Sequence, residues 1–136
     1  MHVEAAVDHF RTSHRAVLIA RKRNGSPQPS PVAVGVDETG RLTVSSRETA
    51  FKVRNLRRDP RVWLCGFRDE WYGPWVQVEG LAEVVSLPDA MGPLVDYYRS
   101  VAGEHPDWDE YRAAMTTEQR CLLVIEPTVA GPDRQG

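Results

Sequence analysis

Apolar and polar positions alternate in short blocks along most of this chain, the two-residue period of strands that bury one face. Ala16-Val17-Leu18-Ile19-Ala20 is the first such block. Asn24-Gly25 follows it and predicts a tight hairpin, because that pair accepts positive backbone angles. Pro27, Pro29 and Pro31 come next. Proline brings no N–H to a ladder, so this half is expected to be an edge or a bulge, with only residues 32–36 a regular strand. Asp37-Glu38-Thr39-Gly40 is a turn, and residues 41–46 return as a strand, which gives a meander of three. Residues 61–67 read as another strand, and residues 75–85 as a long one with a bulge at Gly80. Residues 120–126 form the closing strand, and Pro127 onward reads as a short tail.

Helical spacing interrupts this pattern in a few places. Ala5, Val7 and Phe10 make a weak helical face near the start. Met91, Leu94, Val95 and Tyr98 make a stronger stripe, with Ser86 as its cap and Asp89 imitating a capping box. Gly103 separates it from a second helix, with Pro106 in the first turn and Trp108, Tyr111 and Met115 at helical spacing. With no internal repeat and no dividing linker, residues 1–136 are expected to form one domain. The expected fold is mainly β: six antiparallel strands in a small closed barrel, with two or three helices outside it.

The basic residues change the picture most. Residues 45–62 carry Arg47, Lys52, Arg54, Arg57, Arg58 and Arg61, opposed only by Glu48 and Asp59. Here a strand gives way to a short helix that Asp59-Pro60 stops. Small hydroxyls followed by cations at a helix entrance make an anion seat, since free first-turn amides and the helix dipole favour negative charge. A solvated basic face on a surface helix is the competing reading. The net charge of −2 argues against general nucleic-acid binding, so the basic segment is local. Cys65 and Cys121 read as buried free thiols. The N-terminus has no basic leader before an apolar block, and no apolar run approaches transmembrane length, so a cytoplasmic protein without membrane insertion is expected.

Hydrolytic and metal chemistry find no support. No nucleophile elbow, HExxH or cysteine pair occurs, and the acids around His105 read as cap and surface residues. Glu48, Asp69 and Glu79 are capable of acid or base work, but no pattern pairs two of them, so no catalytic residue is assigned. Trp71, Tyr72 and Trp75 cluster around a Gly-Pro turn and suit either a wall for a planar ring or a subunit contact. Anion binding beside a barrel fits a phosphate-bearing cofactor that carries the chemistry itself.

Lys52-Val53-Arg54-Asn55-Leu56-Arg57-Arg58-Asp59-Pro60-Arg61 carries a resemblance, with Val78-Glu79-Gly80 and the segment from Tyr98-Arg99 through Gly103-Glu104-His105-Pro106-Asp107-Trp108 to Met115. Nearly the whole chain resembles the pyridoxamine 5'-phosphate oxidase-like superfamily. It is most similar to the actinobacterial branch of deazaflavin (coenzyme F420)-dependent oxidoreductases. The resemblance implies a six-stranded split barrel and a homodimer with cofactor clefts between subunits. It implies hydride transfer between F420, or alternatively FMN, and an electrophilic conjugated acceptor such as a quinone or enone; a cofactor-sequestering module without catalysis is the other alternative. By motif position the ring edge meets Gln28, Pro31, Val32 and Ala33, and the phosphate end meets Ser45, Ser46, Arg47, Lys52 and Arg54. Trp71, Trp75 and Gln77 complete the cleft, from the partner subunit in one arrangement. Some members of the superfamily carry arginine two residues before the matched lysine, where this chain has Ala50. Either Arg47 supplies that charge or the phosphate contact is weaker.

Overall fold

The structure, a computed structural model, describes residues 1–133. In chain order it comprises α1 (Val3–Thr12), β1 (Arg15–Arg21), β2 (Pro27–Ala33), β3 (Gly35–Val36), β4 (Leu42–Arg47), α2 (Phe51–Arg58), β5 (Arg61–Phe67), β6 (Trp75–Ser86), α3 (Met91–Ala102), α4 (Trp108–Thr117) and β7 (Arg120–Gly131). All strand pairs are antiparallel, in the order β2-β1-β5-β6-β7-β4-β3. The mainly β expectation therefore holds, with seven strands in place of six and four helices in place of two or three. The sheet curls into half of a split barrel and is not closed by a ladder between β2 and β4.

The prolines explain the extra strand. Residues facing one ladder alternate with residues facing the other edge. Pro27, Pro29 and Pro31 all fall on the edge away from β1, so Gln28, Ser30 and Val32 are left to bond it, and β2 pairs with β1 along its whole length. The expected regular strand at residues 32–36 is instead broken at Val34, whose N–H bonds the His14 carbonyl at 2.7 Å. Gly35 and Val36 then pair with β4, so the meander of three is two hairpins whose strands part from a common corner. Gly35 makes that corner compact: a Cβ there would lie 3.0 Å from Ser100 Oγ and 3.1 Å from Thr43 Oγ1.

β7 has five consecutive buried residues because both its faces are covered. Cys121, Leu123 and Ile125 point into the barrel core with Leu18, Val44, Leu64 and Val78. Leu122 and Val124 point outward beneath Leu94, Val95, Tyr111 and Met115 of α3 and α4. The strand also runs past Pro127, which sits opposite Gly80 at the expected bulge, so the predicted tail is strand as far as Gly131. The last three residues of that tail lie outside the described residues. Two local expectations also change. On α1, Ala6, Val7, His9 and Phe10 are buried while Ala5 is exposed. On α3, Ala90 stands at the cap, and Ser86 instead bonds Glu48. Among the described residues no helix is long and apolar enough to cross a membrane.

Candidate functional site

Where β2 and β4 part, they leave a hollow of about 320 Å³ lined by Pro31, Val32, Ala33, Ser45, Ser46, Arg47, Ala50, Lys52 and Arg120. Seven of these are residues the sequence assigned to a cofactor. One wall is β2, whose seam-facing edge has carbonyls at Pro27, Pro29 and Pro31 but no donors there. The other wall is the end of β4, where Ser46 is 4% exposed and Ser45 half-buried. The floor is the start of α2. Ala50 at its cap offers no side-chain acceptor; the Ala50 and Val53 amides already bond the Arg47 and Ala50 carbonyls, so the Phe51 and Lys52 amides are the ones left for another partner.

Tyr97 of α3 bridges the two walls. Its hydroxyl donates to the Ala33 carbonyl at 2.8 Å, and Tyr97 shares the lining of a neighbouring hollow with Ser45 of β4. Burial raises its pKa, so it remains a phenol at neutral pH. A side chain thus holds the seam where the backbone ladder is missing.

Three cations meet here. Arg47 and Arg120 share the Glu118 carboxylate, at 3.2 Å and 2.9 Å. Lys52, half-buried, has no ion-pair partner among the described residues. Burial lowers its pKa and Arg120 lowers it further, the signature of an ammonium short of an anion. The turn before α2 is pinned by Glu48, which accepts from Ser86 Oγ and pairs with Arg57, both at 2.6 Å.

The other assigned residues lie elsewhere. Arg54 is exposed and outside the hollow. Gln28 accepts from Asn55 Nδ2 at 3.2 Å, in a chain that continues to Arg58 and the Arg21 carbonyl, and adds nothing to the lining. Trp71, Trp75 and Gln77 belong to the β5–β6 side, across the barrel from the seam. Glu48, Asp69 and Glu79 do not line the hollow either. Cys65 is half-buried, not buried as expected, and burial pushes its thiol up; Cys121 is buried and pushed up to about 11. Sequence reasoning missed Arg120. Its signal was available only through strand register, which sets it opposite Arg47.

A curled antiparallel half-barrel with a cationic hollow at its open seam defines a split-barrel protein. The chain belongs to the pyridoxamine 5'-phosphate oxidase family, whose model matches residues 3–130. Similar solved structures include the conserved hypothetical protein Rv2991 from Mycobacterium tuberculosis, at TM-score 0.77 and 23% identity over 96% of this chain and 82% of that one. A protein described as F420 reductase matches at TM-score 0.69 and 21% identity, over 91% of this chain and 94% of that one. A heme binding protein from Mycobacterium smegmatis matches at 0.66 and 18%, over 95% of this chain and 55% of that one. At these identities the likeness is one of fold.

Proposed function

We propose that the chain is an F420-dependent oxidoreductase, of the actinobacterial branch its motifs resemble, acting on an electrophilic conjugated acceptor such as a quinone or enone. The observation that carries the reading is Lys52, a half-buried ammonium on the seam hollow with no ion-pair partner among the described residues. The residues fit a phosphate-bearing ring cofactor. Lys52, Arg47, Arg120 and the Phe51 and Lys52 amides suit the phosphate, and the proline edge of β2, with carbonyls but no N–H at Pro27, Pro29 and Pro31, suits a heterocycle that brings its own N–H groups. The similarity to a protein described as F420 reductase supports the deazaflavin. The bound deazaflavin would supply the hydride chemistry.

The chain's own residues bind, orient and exclude water. Pro31, Val32 and Ala33 offer an apolar ledge to the ring, and Tyr97 fixes the distance between ledge and seat. With no Glu48, Asp69 or Glu79 carboxylate on the hollow, the acceptor's proton comes from solvent in this reading. A second copy completes the cleft. The hollow of one protomer is at the small end for a whole cofactor. Trp71 is 79% and Tyr72 95% exposed, on the side of the barrel that cannot reach its own seam.

Titration of the purified protein with F420 and FMN, then turnover of the reduced cofactor with a small quinone, tests the reading. Tight FMN binding without F420 binding overturns it in favour of a flavoprotein. Binding without turnover across acceptors leaves a cofactor-binding module. Sedimentation equilibrium with cofactor present is expected to show a dimer at low-micromolar concentration, and monomer alone would contradict the shared cleft.

A further inference from the structure

Arg47 and Arg120 stand directly opposite one another in the β4–β7 ladder. Like charges in that position repel. Glu118 relieves the repulsion with a single oxygen: its Oε1 accepts from Arg47 Nη2 at 3.2 Å, from Arg120 Nη2 at 2.9 Å and from Arg120 Nε at 3.2 Å. Both arginines line the seam hollow, whereas Glu118 lines a neighbouring hollow of about 380 Å³ that shares Ser45 and Arg120 with it. Glu118 therefore stands on the neighbouring hollow and not on the phosphate seat itself. Hydrogen bonds from Arg120 and Arg47 hold its carboxyl below the usual range, so it keeps its charge. Three cations at the seat are thus opposed by one built-in anion.

We infer that Glu118 sets the charge the seat accepts, discriminating against the second negative charge of a terminal phosphomonoester and so tuning the seat toward a phosphodiester. The inference rests on the phosphate seat proposed above and adds the class of phosphate it takes. Repulsion from Glu118 acts on each unit of ligand charge, so its effect on a dianion is the square of its effect on a monoanion. The favoured ligand carries a further group beyond its phosphate, and the neighbouring hollow opens on that side at Ser45 and Arg120. A Glu118 that only relieves the opposed arginines would change stability and leave the ratio of the two affinities alone.

The test is Glu118→Gln, which keeps an acceptor oxygen between the arginines and removes the charge. FMN is a monoester and dianionic at about pH 8, well above a phosphate second pKa of about 6. Riboflavin 4',5'-cyclic phosphate has the same ring with a singly charged diester, and riboflavin is the uncharged reference. Fluorescence titration is expected to show the diester tightening about threefold and FMN about tenfold, with riboflavin unchanged. Equal factors for the two phosphates, a matching change for riboflavin, or no binding of either phosphate to either protein would overturn the inference. Should the single variant fail to fold, Arg47→Gln and Arg47→Gln/Glu118→Gln are compared, since both lack the opposed charges. The same threefold and tenfold factors are expected between them, and equal factors refute the idea again. F420 titration of the unsubstituted protein separates the two proposals. Flavin phosphates that obey the charge rule while F420 fails to bind would sink the cofactor assignment alone. F420 binding with equal flavin factors would sink Glu118 alone.

Discussion

Replacing Lys52 with alanine asks whether the seam is a phosphate seat, and the structure gives the expected result two parts of opposite sign. In the free protein Lys52 is half-buried beside Arg120, with no ion-pair partner among the described residues, so its charge is a burden. Lys52→Ala is therefore expected to melt no lower than the unsubstituted protein. With cofactor bound, the same ammonium meets a phosphate. Two unit charges about 4 Å apart gain about 1 kcal/mol in water and about 4 kcal/mol near a protein surface. Arg47 and Arg120 remain after the substitution, so the loss lies in the range of a charge-assisted hydrogen bond, about 1.5–3 kcal/mol, or one to two orders of magnitude in Kd. Turnover at saturating cofactor should survive better than affinity, because the side chain grips the phosphate end. Arg58→Ala is the control. Arg58 bonds Asn55 and the Arg21 carbonyl away from the seam, so its loss should cost stability and leave affinity nearly unchanged. Isothermal titration of each variant with F420 at fixed ionic strength reads the difference. Equal affinities for Lys52→Ala and the unsubstituted protein would refute the seat.

Three further outcomes are expected. Gly80→Ala would place a Cβ 2.6 Å from the Glu126 carbonyl and 2.8 Å from Ile125 Cγ2, where backbone has to yield; a loss of at least about 2 kcal/mol is expected in urea unfolding. Tyr97→Phe strips the Ala33 carbonyl of its donor and unpins the seam, for about 1–2 kcal/mol of stability together with weaker F420 binding. Stability without affinity would mean that the bridge does not shape the site. His9 is buried with no hydrogen-bond partner at Nε2, and burial, then Arg68, depresses its pKa. Below the ordinary imidazole value of about 6.5 the unfolded chain takes up a proton that the folded chain resists, so stability is full above that pH and declines below it. Urea midpoints should fall between about pH 7.5 and about pH 5.5. In His9→Leu that fall should flatten, and an undiminished one would assign it to another group.

Strands and turns were legible where one residue type leaves the backbone a single option. Asn24-Gly25 turned the first hairpin, Asp59-Pro60 stopped α2, and Gly80 marked the bulge, because each acts through its own backbone. Ser45, Ser46, Arg47 and Lys52 were legible for a related reason: they are close in sequence and stay close in the fold. Arg120 was not, because its place depends on which residue of β4 it faces, and register is settled by packing across the whole barrel. The same limit hid the side of the barrel on which Trp71 and Trp75 fall. The prolines of β2 were read rightly as marking an edge, but not as part of a full strand, because their spacing mattered more than their number. Three on alternate positions leave the ladder to β1 whole, whereas consecutive ones would have broken it.

That spacing also bears on what can pair along the open edge. An open seam in a sheet is an invitation for a strand of another molecule to pair along it. Such a strand needs donors and acceptors in alternation, and the rim of β2 answers with carbonyls alone at positions 27, 29 and 31. A stray chain would find half its partners missing. A small heterocycle that brings its own N–H groups has no such need for alternation. The edge can therefore stand open to a ligand while refusing the extended chains that would otherwise aggregate on it.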